Sequence, residues 1–481
     1  MRKKIRLFIA ALAAALTLSF VLVGCTQSVT STVRYITSIS AVGNEIVAYY
    51  SDGSSQTLLT VGNTEFTLQD IYEAAKTVEG EDYTYEQFLK DYVNVEMPED
   101  NSKAINRALA SSVKFYTEFK ETAPIEINGV STGRYENRTG LYTGSGVIYR
   151  KDTEYTYMIT NYHVVFSQYA NSDNGNTQIA QKIYCYLYGS ESTPSAADLQ
   201  TDRNYTAYEY GSYAVPCEYV GGSIANDIAV VRARTSDMTA INPSYRVAEF
   251  ADSYHVGQTA IAIGNPEGEG ISASQGIVSV ADEYISLAID GTARQYRSMR
   301  IDTAIYQGNS GGGLFDTSGN LIGITNAGDG EDQSINFAVP LEIAKGVADN
   351  ILYYYGNGSN GSVAAKKPTL GVNVTSSNSH YLYDDSLGYG EIVETITVTS
   401  VVTNSIALNN LGLKQGDVLR GITVSDGTTS TEWTLNRNFD ISDALLTARA
   451  GYTITVTYMR GEEEQTTNAY TFKASDFEAV E

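Results

Sequence analysis

The sequence predicts a mainly β protein made of more than one domain, and three observations carry that reading. Short runs with period-two alternation recur along the chain, among them Tyr155-Thr156-Tyr157-Met158-Ile159-Thr160 and Ile396-Thr397-Val398-Thr399-Ser400-Val401-Val402. That period belongs to half-buried strands. Tyrosine is abundant at 37 residues, and many of these fall in the alternating runs, where aromatic side chains suit a pleated surface. At 481 residues the chain exceeds what one hydrophobic core organises, so two to four domains are expected.

Charge and composition narrow the chemistry. Lys and Arg total 32 against 56 Asp and Glu, a net charge of −24 that repels phosphates and argues against a nucleic-acid partner. Only three histidines are present, so any imidazole chemistry must use His163, His255 or His380. No His, Cys and carboxylate cluster has metal-ligand spacing, and neither a metal nor a cofactor is expected.

Residues 1–24 read as an export signal. Arg2, Lys3, Lys4 and Arg6 precede an apolar run that ends at Leu22-Val23-Gly24-Cys25. That ending resembles the bacterial lipobox, which implies cleavage before Cys25 and lipid on its sulfur and amino group. The alternative is an uncleaved membrane anchor. Both put the rest of the chain outside the cytoplasm, lipid-anchored to a bacterial cell membrane on the first reading. Residues 26–98 form a small module. Strands are expected at Ile36–Ser40, Glu45–Tyr50 and near Ser55–Val61, followed by a helix-loop-helix whose loop lacks the oxygen ladder of a calcium site.

Residues 101–355 carry the chemistry. In Gly308-Asn309-Ser310-Gly311-Gly312 a serine stands among glycines, so nothing crowds its hydroxyl, and Gly308 allows a tight turn that aims the amides of Gly308 and Ser310 at one point. This Gly308–Asn309–Ser310 turn suits an oxyanion hole, or it is simply a glycine-rich surface turn. A serine needs a base. His163 follows a strand in Thr160-Asn161-Tyr162-His163-Val164-Val165. Asp227 precedes the apolar strand Ile228-Ala229-Val230-Val231, where a buried carboxylate needs a hydrogen-bond donor such as an imidazole N–H. The order His163, Asp227, Ser310 is one in which a Ser-His-Asp triad is built.

Together with Thr143-Gly144-Ser145-Gly146-Val147-Ile148, Ile263-Gly264-Asn265-Pro266-Glu267-Gly268, Gln275-Gly276-Ile277-Val278-Ser279 and Asp302-Thr303-Ala304-Ile305-Tyr306-Gln307, these blocks resemble the HtrA/Deg family of chymotrypsin-fold serine proteases over about 104–355. The resemblance implies two six-stranded β-barrels with the triad between them and an extracytoplasmic endopeptidase acting on unfolded or misfolded exported proteins. It also implies a homotrimer, which no feature of the sequence decides. In this fold the base of the primary specificity pocket lies six residues before the serine, at Ala304. An uncharged residue there implies small or medium aliphatic side chains before the cut.

Two rivals stand beside that reading. A Gly-x-Ser-x-Gly nucleophile elbow needs a following helix and a downstream histidine. Here two strands follow, and His380 lies outside the segment. The other rival is a catalytically inactive protease fold that serves as a peptide-binding sensor. Cys185 and Cys217 sit in two strands expected to be neighbours, either bridged or as free thiols.

Residues 356–367 read as a Gly/Ser/Asn linker, and 368–478 as a second, α+β domain. Gly412-Leu413-Lys414-Gln415-Gly416-Asp417-Val418-Leu419 resembles a PDZ signature. It implies a carboxylate-binding loop at Thr369, Leu370, Gly371 and Val372 and a groove against a helix near Ile441, taking peptide C-termini as an added strand.

Overall fold

The computed structural model describes residues 36–42, 45–50, 54–60, 72–73, 76, 84, 101–127, 130–197, 204–328, 334–357 and 361–480. The chain divides into two compact units, Met1–Asp100 and Asn101–Glu481. In the first, β1 (Ile36–Val42), β2 (Glu45–Tyr50) and β3 (Ser55–Thr60) form an antiparallel meander at the expected positions. The export signal and Cys25 lie outside the described residues, as does the helix-loop-helix apart from Tyr72, Glu73 and Lys76, which are helical, and Thr84. Among the described residues no helix is long and apolar enough to cross a membrane.

The second unit opens with α1 (Ser102–Leu109), which buries Ala104, Ala108 and Leu109. Then come β4 (Ser112–Ile127), β5 (Val130–Lys151), β6 (Tyr155–Thr160), α2 (Tyr162–Val165), β7 (Lys182–Leu187), the small β8 (Ser195–Ala196) and β9 (Tyr208–Glu209), β10 (Val215–Ser223), β11 (Ile228–Arg234) and α3 (Thr235–Ile241). The order β11-β6-β5-β4-β7-β10, with β10 returning to β11, closes a six-stranded barrel. Closure removes the sheet edges except at the end of β10, beyond its pairing with β7. Phe115, Ile148, Met158 and Val231 fill its interior. Cys185 stands opposite Val215, and Cys217 opposite Ile183. The two thiols are therefore diagonal rather than directly paired, and both are free.

A second barrel repeats the plan. β12 (Glu249–Phe250), β13 (Thr259–Gly264), β14 (Ser272–Leu287), β15 (Arg294–Ile301), β16 (Gly313–Phe315), β17 (Asn320–Gly328) and β18 (Asn336–Pro340) follow. The ring β17-β16-β13-β14-β15-β18 closes through β17 and β18, with β12 added on β17. Ala260, Val278, Met299 and Ile322 make its core. A third cluster, including Val147, Ile159, Ile261 and Phe315, packs the barrels on each other and beneath α4 (Leu341–Gly356).

Beyond α4 the expected flexible linker is corrected in part. β19 (Val363–Ala364) adds in parallel to β10, and β20 (Lys366–Pro368) pairs with β28 (Phe477–Ala479). The apolar Val363-Ala364-Ala365 covers the end of β10, and Ala365 is fully buried. Next are β21 (Val372–Asp384), β22 (Tyr389–Val401), α5 (Ile406–Asn409), β23 (Val418–Ser425), β24 (Ser430–Thr434), α6 (Asp440–Thr447), β25 (Thr453–Arg460), β26 (Glu463–Thr466) and β27 (Tyr470–Thr471). Their main sheet runs β21-β22-β23-β25-β26, so β21 is an edge strand. This domain has its own core, with Ile396, Leu413, Ile422 and Val456, and rests on the barrels through α6 against α4.

Candidate active site

The predicted residues come from three loops that the barrels hold together. β6 ends at Thr160, and Asn161, an extended residue (φ −73°, ψ 152°), starts the single turn α2 carrying His163. Val164 and Val165 are buried and pin that turn, and Gly144 makes room for it: a Cβ there would lie 2.5 Å from Val164 Cγ1. Asp227 stands between β10 and β11 in the left-handed region at φ 50°, a conformation Asp tolerates better than most residues. Its side chain is fully buried.

Both oxygens of Asp227 are engaged by one residue. His163 Nδ1 lies 2.7 Å from Oδ2, and the His163 backbone N–H donates to Oδ1 at 2.9 Å. The carboxylate therefore fixes the ring's orientation and selects the tautomer with the proton on Nδ1, leaving Nε2 free to accept. Burial by itself would disfavour the imidazolium; the adjacent Asp227 charge and hydrogen bond outweigh it and lift the His163 pKa above the usual 6.5. Asn161 Nδ2 donates to the Asp227 carbonyl at 2.9 Å and steadies the strained loop.

The Ser310 loop packs on the strand end that carries His163. A Cβ on Gly311 would lie 2.2 Å from Thr160 Oγ1 and 3.0 Å from the Asn161 nitrogen, so only glycine allows this approach. The Ser145 N–H donates to the Ser310 carbonyl at 2.8 Å. Ser145 Oγ donates to the Gly308 carbonyl at 2.7 Å and accepts from the Asn265 N–H at 2.8 Å. Ser145, buried on β5, thus ties the first barrel to two loops of the second. Gly308 has φ 97°, and a Cβ there would lie 2.3 Å from the Asn265 carbonyl oxygen.

Among the described residues no backbone bond occupies the amides of Gly308 and Ser310. The Asn309 amide differs: it donates to the Tyr306 carbonyl at 3.0 Å. Asn309 therefore belongs to the turn without offering its N–H, a correction to its place in the expected oxyanion hole. The Ser310 hydroxyl donates to the Asn326 carbonyl at 2.9 Å, and no hydrogen bond joins it to His163. Ala304 is half-buried with its carbonyl taken by Ser274 Oγ at 3.0 Å, and it adds no charge to the site.

Sequence reasoning missed Asn161, Ser145 and Asn326. The first two lie inside quoted motif blocks, yet their roles are contacts across loops far apart in the chain. Asn326 acts through its carbonyl, which leaves no mark on residue type.

Residues 144–324 match the family of trypsin-like peptidase domains. The chain is homologous to the HtrA serine proteases. It is 27% identical over 380 residues to the serine protease Do-like HtrA of Bacillus subtilis, covering 76% of this chain and 72% of the relative. A Lactococcus lactis HtrA is 26% identical over 393 residues, covering 78% and 83%. Escherichia coli periplasmic serine endoprotease DegP is 30% identical over 285 residues, covering 58% of this chain and 48% of DegP, about half its length. A solved HtrA-type protease, AlgW with a decapeptide, is 23% identical with TM-score 0.44, covering 78% of this chain and 99% of that one. The trypsin-like peptidase domain and the HtrA and DegP homologues identify a serine protease.

In the C-terminal domain of the protease, Leu370 is buried and Gly371 has φ 77°. Their carbonyls turn inward to the amides of Ala407 and Val402, each at 2.8 Å. No backbone bond occupies the Leu370 and Gly371 amides among the described residues. Val372 and Ile441 both pack on the core that contains Leu370. Thr369 is exposed.

Proposed function

We propose that this protease is an exported, lipid-anchored endopeptidase of unfolded or misfolded proteins, with Ser310 as nucleophile, His163 as general base and Asp227 as its orienting acid. Ser310 Oγ attacks the scissile carbonyl as its proton passes to His163 Nε2. Asp227 stabilises the imidazolium that forms, and the amides of Gly308 and Ser310 receive the oxyanion, each such donor being worth roughly 3 kcal/mol of barrier. His163 then protonates the leaving amine. Water attacks the acyl-enzyme by the same route in reverse. The observation that carries the reading is the doubly held pair, His163 Nδ1 to Asp227 Oδ2 at 2.7 Å with the His163 N–H on the other oxygen. For attack, the Ser310 hydroxyl leaves the Asn326 carbonyl and turns to His163, a bond that often tightens only with substrate bound.

Ala304, uncharged at the pocket base, favours aliphatic side chains before the cut. The loop Thr369–Val372 and Ile441 take peptide C-termini beside edge strand β21, and Cys25 carries the lipid. A second reading, an inactive peptide-binding sensor, is favoured by the Ser310 hydroxyl resting on Asn326 instead of His163. Casein degradation separates the two. The wild-type chain is expected to degrade casein and Ser310→Ala to fail; an inert wild type under conditions where it is folded leaves only the sensor.

A further inference from the structure

Between the far half of the β21–β22 hairpin and the second barrel lies a cleft of about 1080 Å³, away from the Ser310 loop. Apolar and aromatic side chains on its walls face solvent among polar ones. Tyr381, Leu382 and Leu387 on the hairpin are 59%, 54% and 58% exposed, and Val256 on the opposite wall is 52% exposed. Such a concentration of large exposed side chains along one cleft is unusual for a surface that stays bare. The Trp433 indole lines it too, with a buried Nε1–H that has no acceptor. His255 stacks on Tyr389 at 4.1 Å and 6°, bridging barrel loop and hairpin.

The charges of the cleft have one sign once internal pairs are removed. Arg297 is consumed by Asp282, Glu342 and Asp443, and Arg437 by Glu394 at 3.0 Å. Asp385 and Glu391 line the cleft, are exposed, and have no ion pair among the described residues. The far half of β21 is also an unpaired sheet edge, able to bond an extended chain.

We propose that this cleft binds an extended polypeptide segment in which apolar and cationic side chains alternate, holding a stretch of substrate away from both its terminus and its scissile bond. The aromatic and leucine walls take the apolar side chains. Asp385 and Glu391 meet Lys or Arg. The occupant's role as substrate rests on the peptidase reading, but its binding needs neither a working Ser310 nor the Thr369–Val372 loop.

The test uses the full chain carrying Ser310→Ala and a fluorescent ten-residue peptide alternating leucine and lysine with an amidated C-terminus, read by anisotropy. A counterpart has glutamate for lysine. The lysine peptide is expected to bind at least tenfold more tightly, and Asp385→Lys with Glu391→Lys to invert the preference. Leu387→Ser with Tyr381→Ser is expected to weaken the lysine peptide at least fivefold at an unchanged melting temperature. Equal affinity for both peptides, no binding of either, or binding that the hairpin substitutions leave unmoved would overturn the proposal. Casein degradation by the Ser310 chain is scored separately, so loss of one result does not imply loss of the other.

Discussion

In the proposed mechanism a single carboxylate sets the reactivity of the site. Asp227 is fully buried, and its partners are the ring and the amide of one residue, so its charge is spent on orienting and polarising His163. Because that charge raises the His163 pKa, the free-base form needed for catalysis appears only above the usual imidazole range. We expect kcat/KM to climb with pH through an inflection above 6.5 and then level off. Asp227→Asn is expected to move the inflection down and to cut kcat by about 10⁴-fold, as an amide in place of the acid holds the imidazole in the wrong tautomer. A pH–rate profile for both proteins checks this; an unmoved inflection would detach Asp227 from the base. At this scale the sequence was informative, since Asp227 precedes a continuous apolar strand and His163 ends one. Asn309 was placed less well, because whether an amide is free depends on the direction of a peptide plane. Residue type does not record that direction.

At the scale of elements, α4 is the piece on which most others converge. Its buried face of Ile343, Ala344, Val347, Ala348 and Ile351 packs under the barrels, while Asn350 on the same helix reaches the C-terminal domain. Asn350 is fully buried, with Nδ2 donating to the Lys366 carbonyl at 2.7 Å and the Leu446 carbonyl at 3.0 Å and Oδ1 accepting from the Lys366 N–H at 2.8 Å. Removing it takes the partner from the Lys366 N–H and carbonyl, each costing about 1–3 kcal/mol if left unpaired, while the Leu446 carbonyl keeps the Arg449 Nη1 donor at 2.7 Å. Asn350→Ala is therefore expected to destabilise the second unit by about 3 kcal/mol in a denaturant titration. A change within about 0.5 kcal/mol would show that water replaces those bonds at little cost. The strands of both barrels were legible from their alternation. The short β19 and β20 were not: the Gly, Ser and Asn of 356–362 dominate the composition of that stretch, and the two strands exist only because β10 and β28 present backbone to them.

For the whole molecule, the contact between barrels and C-terminal domain is electrostatic as well as apolar. Arg297 on β15 meets Asp282 on β14, Glu342 on α4 and Asp443 on α6, and Tyr254 donates to Glu342 at 3.0 Å. Three carboxylates share one guanidinium. Burial raises Glu342 to about 7, with Arg297 opposing that rise and Asp443 and Asp282 adding to it. Unfolding returns Glu342 to an ordinary carboxyl near 4.5, so between these values the folded chain holds more proton than the unfolded chain. Its contribution to stability is thus full below pH 4.5 and is lost as pH rises towards 7. Glu342→Gln is expected to reduce the fall in Tm between about pH 5.5 and pH 8, measured by calorimetry. An unchanged pH dependence would assign the fall to other groups. None of this cluster stood out in the sequence, because its members are 15 to 161 positions apart and only the packing of α6 on α4 brings Asp443 to Arg297.

The central claim is that Ser310 is made nucleophilic by His163. A fluorophosphonate probe followed by peptide mass mapping addresses it without any assumption about substrate. The account requires a phosphonyl adduct on Ser310 in the wild-type chain, none in His163→Ala, and slowed labelling in Asp227→Asn. An adduct that forms equally fast without the histidine, or no adduct on the folded wild-type chain, would contradict it.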